Sequence, residues 1–240
     1  MTDRSRPTRY LVVGAAGHAQ EVAWSLREQL AARGESAVLL FFDDQVPPGP
    51  LPSGLGAVIG GFHLLHEQSW DGAQLVMGIG LPSTKVAVAQ RLAAMRLPWA
   101  TVVHPRALIG PNVEIGEGGY VAAGAIVTLN VRVGRFGTIN MHCQVAHDDV
   151  LGDFVTLHPD THLAGCVAVG DRCEIGAGTL VIPGVTVGAD AVVGAGCVVV
   201  RSLPGGCTYV GVPARELAGR AARRAVAGGP VKVPLSRHAR

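Results

Sequence analysis

The chain has 240 residues and a net charge of +2, enough length for one or two domains with an ample core. It has no run of eighteen apolar residues and no signal-peptide pattern, so a soluble cytoplasmic protein is expected. The charge is lopsided: residues 215–240 carry seven Arg/Lys against one Glu, +6, leaving −4 for the rest, and this tail reads as a solvated end rather than a nucleic-acid site.

Residues 1–9 are expected to be a disordered leader. Tyr10 to Gly14 reads as a buried strand that runs into Gly14-Ala-Ala-Gly17-His18. A helix follows to about Leu30, with Val22, Ala23, Leu26 and Leu30 on one face. Val38–Phe42 is a second strand ending at Asp43-Asp44, and 46–54 is a Pro/Gly-rich loop. A short helix is expected near Phe62, then a third strand at Gln74–Ile79. Pro82 to Leu97 is a second long helix with Val86, Ala89, Leu92 and Ala93 inward, and Trp99–Val103 is a fourth strand. Strands alternating with helices imply a small parallel, Rossmann-like α/β sheet. A glycine-rich turn at a helix start suits an anion, although the same glycines suit a plain βα turn. Acids at the end of the second strand stand where such folds hold ribose hydroxyls.

From Val103 to Val199 every sixth residue is aliphatic, seventeen times in succession, and the residue after each stop is often glycine. Four positions on stands mostly a small or β-branched residue. Two inward residues per six describe a short strand and a tight turn, with glycine admitting a positive φ. Three strands make an 18-residue coil, and stacked coils satisfy their backbone hydrogen bonds as a β-solenoid. Of five cysteines, none forms a CxxC pair, and Cys143, Cys173 and Cys197 fall at inward positions, so packing thiols are expected. Tyr209-Val-Gly-Val-Pro-Ala-Arg215 leaves the register and is expected to cap the solenoid, followed by a short helix from 215 to about 226.

The repeat, Gly14–His18, Asn140 to Asp148 and Gly211-Val-Pro-Ala together resemble the hexapeptide-repeat sugar acetyltransferases, of the sialic acid O-acetyltransferase and UDP-amino-sugar N-acetyltransferase type. The likeness covers about residues 9–216. It implies a left-handed β-helix, a homotrimer with sites between subunits, acetyl-CoA as cosubstrate without a metal, and a nucleotide-sugar acceptor. The corresponding domains are 10–98 for the nucleotide sugar and 99–216 for acyl transfer, with 217–240 a basic tail expected to be disordered.

Five of the nine histidines fall between 104 and 162. The resemblance makes His147 the general base, a task suited to an imidazole, with Asp148 orienting it. Gly165 lies eighteen residues on, one coil above His147, and its N–H is a candidate oxyanion donor and coenzyme contact. Ala177 and Ala195, eighteen apart, are the expected small-residue floor for the coenzyme. Gly14, Gly17, His18, Asp43, Asp44 and His158 are the acceptor candidates. Asp149 is a charge at an inward position, so a local distortion beside His147 is expected. Alternatives from other classes are a trimeric scaffold without activity and a zinc protein like the γ-class carbonic anhydrases. The second would use His142 and His147 with His104, since the third ligand position near 106 holds Arg106.

Overall fold

A computed structural model describes residues 8–67 and 69–217. The ends of the chain, with the leader up to residue 7 and the basic tail from 218, lie outside them. No described helix is long and apolar enough to cross a membrane.

The first domain is a five-stranded sheet: β1 (Thr8–Val13), β2 (Ala37–Phe42), β3 (Gly49–Pro50), β4 (Ala57–Gly60) and β5 (Gln74–Met77), in the order β3-β4-β2-β1-β5. All neighbours are parallel except β3 and β4. The strand β1 thus begins at Thr8, inside the stretch expected to be a leader. The β3–β4 ribbon was not foreseen in the Pro/Gly-rich segment. It fits because Gly56 has no side chain: a Cβ there would come 2.6 Å from the Leu39 carbonyl oxygen. Helix α1 (Gly17–Ala31) buries the expected face, Val22, Ala23, Leu26 and Leu30. Helix α2 (Pro82–Leu92) is shorter than expected and gives way to a 3₁₀ turn at Ala93–Met95. Its buried face is Pro82, Lys85, Val88 and Leu92; Val86 and Ala89 are half-buried and Ala93 is exposed. A lysine thus replaces an apolar residue on the packed side.

The expected fourth strand is split. Trp99 makes a single bridge to Leu75, whereas Val102–Val103 is the first strand of the solenoid. From there three parallel faces stack with a register of eighteen residues. Face one begins at Val102–Val103, face two at Leu108–Ile109 and face three at Glu114–Ile115. From Val121 onward every sixth residue is buried, together with Ala125, Cys143, Asp149, Cys173 and Cys197 at the second inward position. Burial pushes the Cys143 and Cys173 thiols up to about 11, so both are inert packing groups.

The glycines after each stop have a different cause from the one anticipated. None of them has positive φ. A Cβ on Gly176 would instead come 2.5 Å from the Ala195 nitrogen of the coil above. The left-handed conformation falls two residues later, at Asn112, Asn130, Asp148, Asp160 and Cys166 among others. Asn and Asp tolerate it because their short polar side chains bond locally.

The sheet domain sits on face one, where the outward residues Tyr120, Thr138, Thr156 and Glu174 are buried. Ser25 Oγ lies 3.1 Å from Tyr120 Oη, and Thr156 Oγ1 donates to the Gly80 carbonyl at 2.6 Å. Lys85 Nζ donates to the carbonyls of Phe136 (2.7 Å) and Val155 (3.1 Å) and to Thr138 Oγ1 (3.2 Å). Burial lowers its pKa to about 7, opposed by the charge of Glu174. Thr208–Val210 extends face one, and Arg215–Glu216 returns antiparallel to it. The turn-back cap is therefore present. Its residues 215 and 216 are strand and Leu217 is not helical, and the rest of the expected helix, from 218, lies outside the described residues.

Candidate active site

The edge between faces two and three carries the histidine corner. His147 and Asp148 occupy the turn between strands Gln144–Val145 and Val150–Leu151. His147 Nδ1 lies 2.8 Å from Asp148 Oδ2. An ionised carboxylate only accepts, so Nδ1 carries the proton and Nε2 offers its lone pair. Asp148 is held in turn by Asn130 Nδ2, which donates to Oδ1 at 3.0 Å, and Asn130 Oδ1 accepts from Asn112 Nδ2 at 2.9 Å. The three form a ladder at eighteen-residue spacing, each at positive φ. The His147 and Asn130 bonds lower the pKa of Asp148, keeping it ionised.

Gly165 stands one coil above His147, as the spacing required. Its φ is +103, and a Cβ would come 3.0 Å from His147 Nε2. Among the described residues its N–H makes no hydrogen bond, while the next N–H, of Cys166, donates to the His147 carbonyl at 2.9 Å. A free donor beside a basic nitrogen can meet a developing oxyanion.

Asp149 causes no distortion; its strand keeps the regular register. Its carboxylate accepts from Ala146 N and Val167 N, both at 2.8 Å, so it ties the residue before His147 to the coil that carries Gly165. Burial raises its pKa to about 6 despite those two bonds.

The remaining candidates lie elsewhere. Ala177, Ala195 and His158 are on the edge between faces one and two, apart from His147 within one chain. His158 Nε2 is 2.9 Å from Glu174 Oε1. His104 is buried against Trp24, and its Nδ1 accepts from Arg106 N at 3.0 Å. His104 and His142 lie on the edge between faces one and two and His147 on the edge between faces two and three, so one chain alone does not bring together the trio expected of a carbonic-anhydrase-like centre.

In the sheet domain, Gly14 turns at φ +98, and α1 starts at Gly17 with no side-chain cap, leaving its first N–H groups open to an anion. A cavity of about 470 Å³ opens beside Asp43, Asp44, Pro47, Ile59 and Gly61. Asp43 already accepts from the N–H groups of Ala15, Gln45 and Val46; Asp44 accepts from Phe62 N and from Arg91 at 2.7 Å. With about four acceptor sites per carboxylate, Asp43 keeps roughly one free and Asp44 two. The Arg91 bond, foremost, holds the pKa of Asp44 low. His18 does not share that opening: its ring packs edge-on against Tyr120, with Nε2 buried and unpartnered among the described residues.

No protein-family model matches the chain, and neither does any curated protein sequence. Solved structures do. The acetyltransferase domain of PglB from Neisseria gonorrhoeae FA1090 is 31% identical, with 87% of this chain and 99% of that one covered at a TM-score of 0.79. The chain belongs to the hexapeptide-repeat sugar acetyltransferases. PerB from Caulobacter crescentus, solved with CoA and GDP-perosamine, is 35% identical over 88% of this chain and 97% of its own, at a TM-score of 0.74. WeeI from Acinetobacter baumannii AYE is 27% identical over 88% and 100%, at 0.79. The solenoid of this sugar acetyltransferase is accordingly a left-handed β-helix, and the protein is an acyltransferase.

Sequence reasoning missed Asn112, Asn130 and Lys85. The two asparagines were open to it, since 130 and 112 are one and two coils before 148. Lys85 gave no signal: an apolar helix face with one lysine reads as a snorkelling surface residue.

Proposed function

We propose that this protein transfers an acetyl group from acetyl-CoA to the amine of a nucleotide-activated sugar, with His147 as general base. The observation that carries the reading is the His147–Asp148 pair at 2.8 Å beside the unbonded N–H of Gly165. It is supported by PglB and PerB, solved with acetyl-CoA and with CoA plus GDP-perosamine respectively. As the amine attacks the thioester carbonyl, Nε2 takes its proton, and Asp148 stabilises the imidazolium that forms. The Gly165 N–H meets the oxyanion, and the tetrahedral intermediate collapses with loss of the CoA thiolate, which recovers a proton. Both substrates are held in one ternary complex, so no acyl-enzyme is needed.

Residues 10–98 hold the nucleotide, with the Gly14–Gly17 turn facing phosphate and the free sites of Asp43 and Asp44 facing the ribose. His158 contacts the acceptor. Residues 99–216 carry the chemistry, with Ala177 and Ala195 along the coenzyme. The protein works as a cytoplasmic homotrimer with its coenzyme sites between subunits. Leu108, Val150 and Leu180, exposed on faces two and three, are apolar surface that such a trimer would cover.

A thiol-release assay across UDP-, dTDP- and GDP-linked amino sugars tests the reading, with His147→Ala as control. That variant should lose about 10²–10⁴ in kcat and still bind acetyl-CoA. Turnover of free sugars or simple amines in preference to every nucleotide-linked one would overturn the acceptor assignment, and near-normal rates in His147→Ala the general base.

A further inference from the structure

The column that holds Asn112, Asn130 and Asp148 continues into a cysteine. Cys166 follows Asp148 by eighteen residues, sits at the same left-handed corner position, and is exposed, unlike the inward Cys143, Cys173 and Cys197. Ligand atoms of His147, Asp148 and Cys166 all lie within 4.8 Å of one another, the one such group of three among the described residues. The other histidine–acid contacts of the solenoid, His142–Asp160 and His158–Glu174, lack a third member.

We propose that His147, Asp148 and Cys166 form a binding site for a soft divalent cation, Zn²⁺ in particular. On a tetrahedral ion with bonds of roughly 2.0–2.3 Å, ligand atoms stand about 3.3–3.7 Å apart. The three side chains need only small rotations about exposed χ angles to reach that spacing. The 2.8 Å contact between His147 and Asp148 opens by about half an ångström, and the proton it shares is released. The thiolate and carboxylate neutralise the ion's charge, the sulfur favours zinc over magnesium or calcium, and a fourth position stays open to water. Asn130 orients the carboxylate from behind, a role that an outer-shell amide often has at metal sites. The consequence for activity rests on the general-base reading: the cation takes the imidazole that proton transfer requires.

The test is a Co²⁺ titration of the coenzyme-free, full-length protein, followed by Zn²⁺ competition against a chromogenic chelator. One Co²⁺ per chain with a thiolate charge-transfer band is expected. Cys166→Ser should abolish the band and weaken Zn²⁺ at least about tenfold, and Cys166→Asn, which keeps a residue suited to the left-handed corner, should do the same. Absence of a band in the wild type, or a band that persists in both variants, overturns the site. Zn²⁺ should inhibit transfer by the wild type and spare Cys166→Ser. If the cation binds with the expected band but transfer continues, the site stands and the role given to His147 falls.

Discussion

Gly165→Ala perturbs the proposed base and the proposed oxyanion donor together. The new Cβ would lie 3.0 Å from His147 Nε2 and 3.1 Å from Cε1. Comfortable contact begins at about 3.5 Å, so the ring must retreat by roughly half an ångström. Rotation of that size strains its 2.8 Å bond to Asp148. The backbone resists as well, since φ of +103 costs a residue with a Cβ about 1–3 kcal/mol. At about 2–4 °C per kcal/mol for a chain of this size, Tm should fall by roughly 2–12 °C. A misplaced reacting group costs about 10² in rate, and a lost oxyanion donor about 10²–10³. Both act on one step and do not multiply, so kcat should drop by about 10²–10³. The assay is thiol release at saturating substrates, well below the variant's Tm. Combining the change with His147→Ala should slow that variant little further. A folded Gly165→Ala enzyme with near-normal kcat would refute the placement of both groups.

Three further outcomes are expected. Asn130→Leu removes the donor to Asp148 and should lower kcat by roughly tenfold while sparing the acetyl-CoA KM; an unchanged kcat would show the ladder to be structural. The Asp149 carboxyl keeps its proton to about pH 6 in the folded chain and to about 3.9 unfolded, so the folded state binds more protons in that window. Stability it contributes below about pH 4 is therefore lost as pH rises through 6, by up to about 3 kcal/mol. Asp149→Asn should lack that loss in urea unfolding across the same range, and parallel curves would contradict it. Lys85→Met leaves the Val155 carbonyl with Thr138 N, and the Phe136 carbonyl without a partner among the described residues, at a cost of about 1–3 kcal/mol. Its folded pKa is about 7 against roughly 10.4 unfolded, so the unfolded chain binds more protons between them, and wild-type stability should rise with pH in that window. The gap to Lys85→Met should widen above pH 7; a constant gap would mean that Lys85 stays charged when buried.

The solenoid was legible because its period is rigid. Once stops recur every six residues and coils every eighteen, position in the sequence is position in space, and Gly165 falls above His147 with no further information. The same arithmetic would have found Asn130 and Cys166 had it been run both ways from Asp148. What it could not give is conformation within a corner. The glycines that follow the stops were read as residues at positive φ, whereas the left-handed position is two residues later, where glycine (Gly118, Gly124 and Gly178 among them) shares it with Asn, Asp and other residues. Glycine marks where the next coil's backbone comes too close for a Cβ. In the sheet domain no such period exists. There the β3–β4 ribbon, the split at Trp99 and the packed lysine on α2 depend on contacts between segments distant in sequence.

Those contacts bear on the assembly. Lys85, Ser25 and the Gly80 carbonyl fix the sheet domain on face one, so Tyr120, Thr138 and Thr156 are covered within the chain. Faces two and three stay open, with Leu108, Leu180 and Val150 exposed on them. The His147 corner is the edge where these two faces meet, and its side chains are exposed as well. In the proposed trimer that edge is the one that can meet a neighbour without displacing the sheet domain. Water would then be excluded from the thioester by the neighbouring subunit rather than by a lid. Charge at Leu108 or Leu180 should consequently dissociate the trimer and abolish transfer together, while His147, Asp148 and Gly165 keep their places within each chain. A variant monomeric by light scattering yet fully active would show that the corner works without a neighbour.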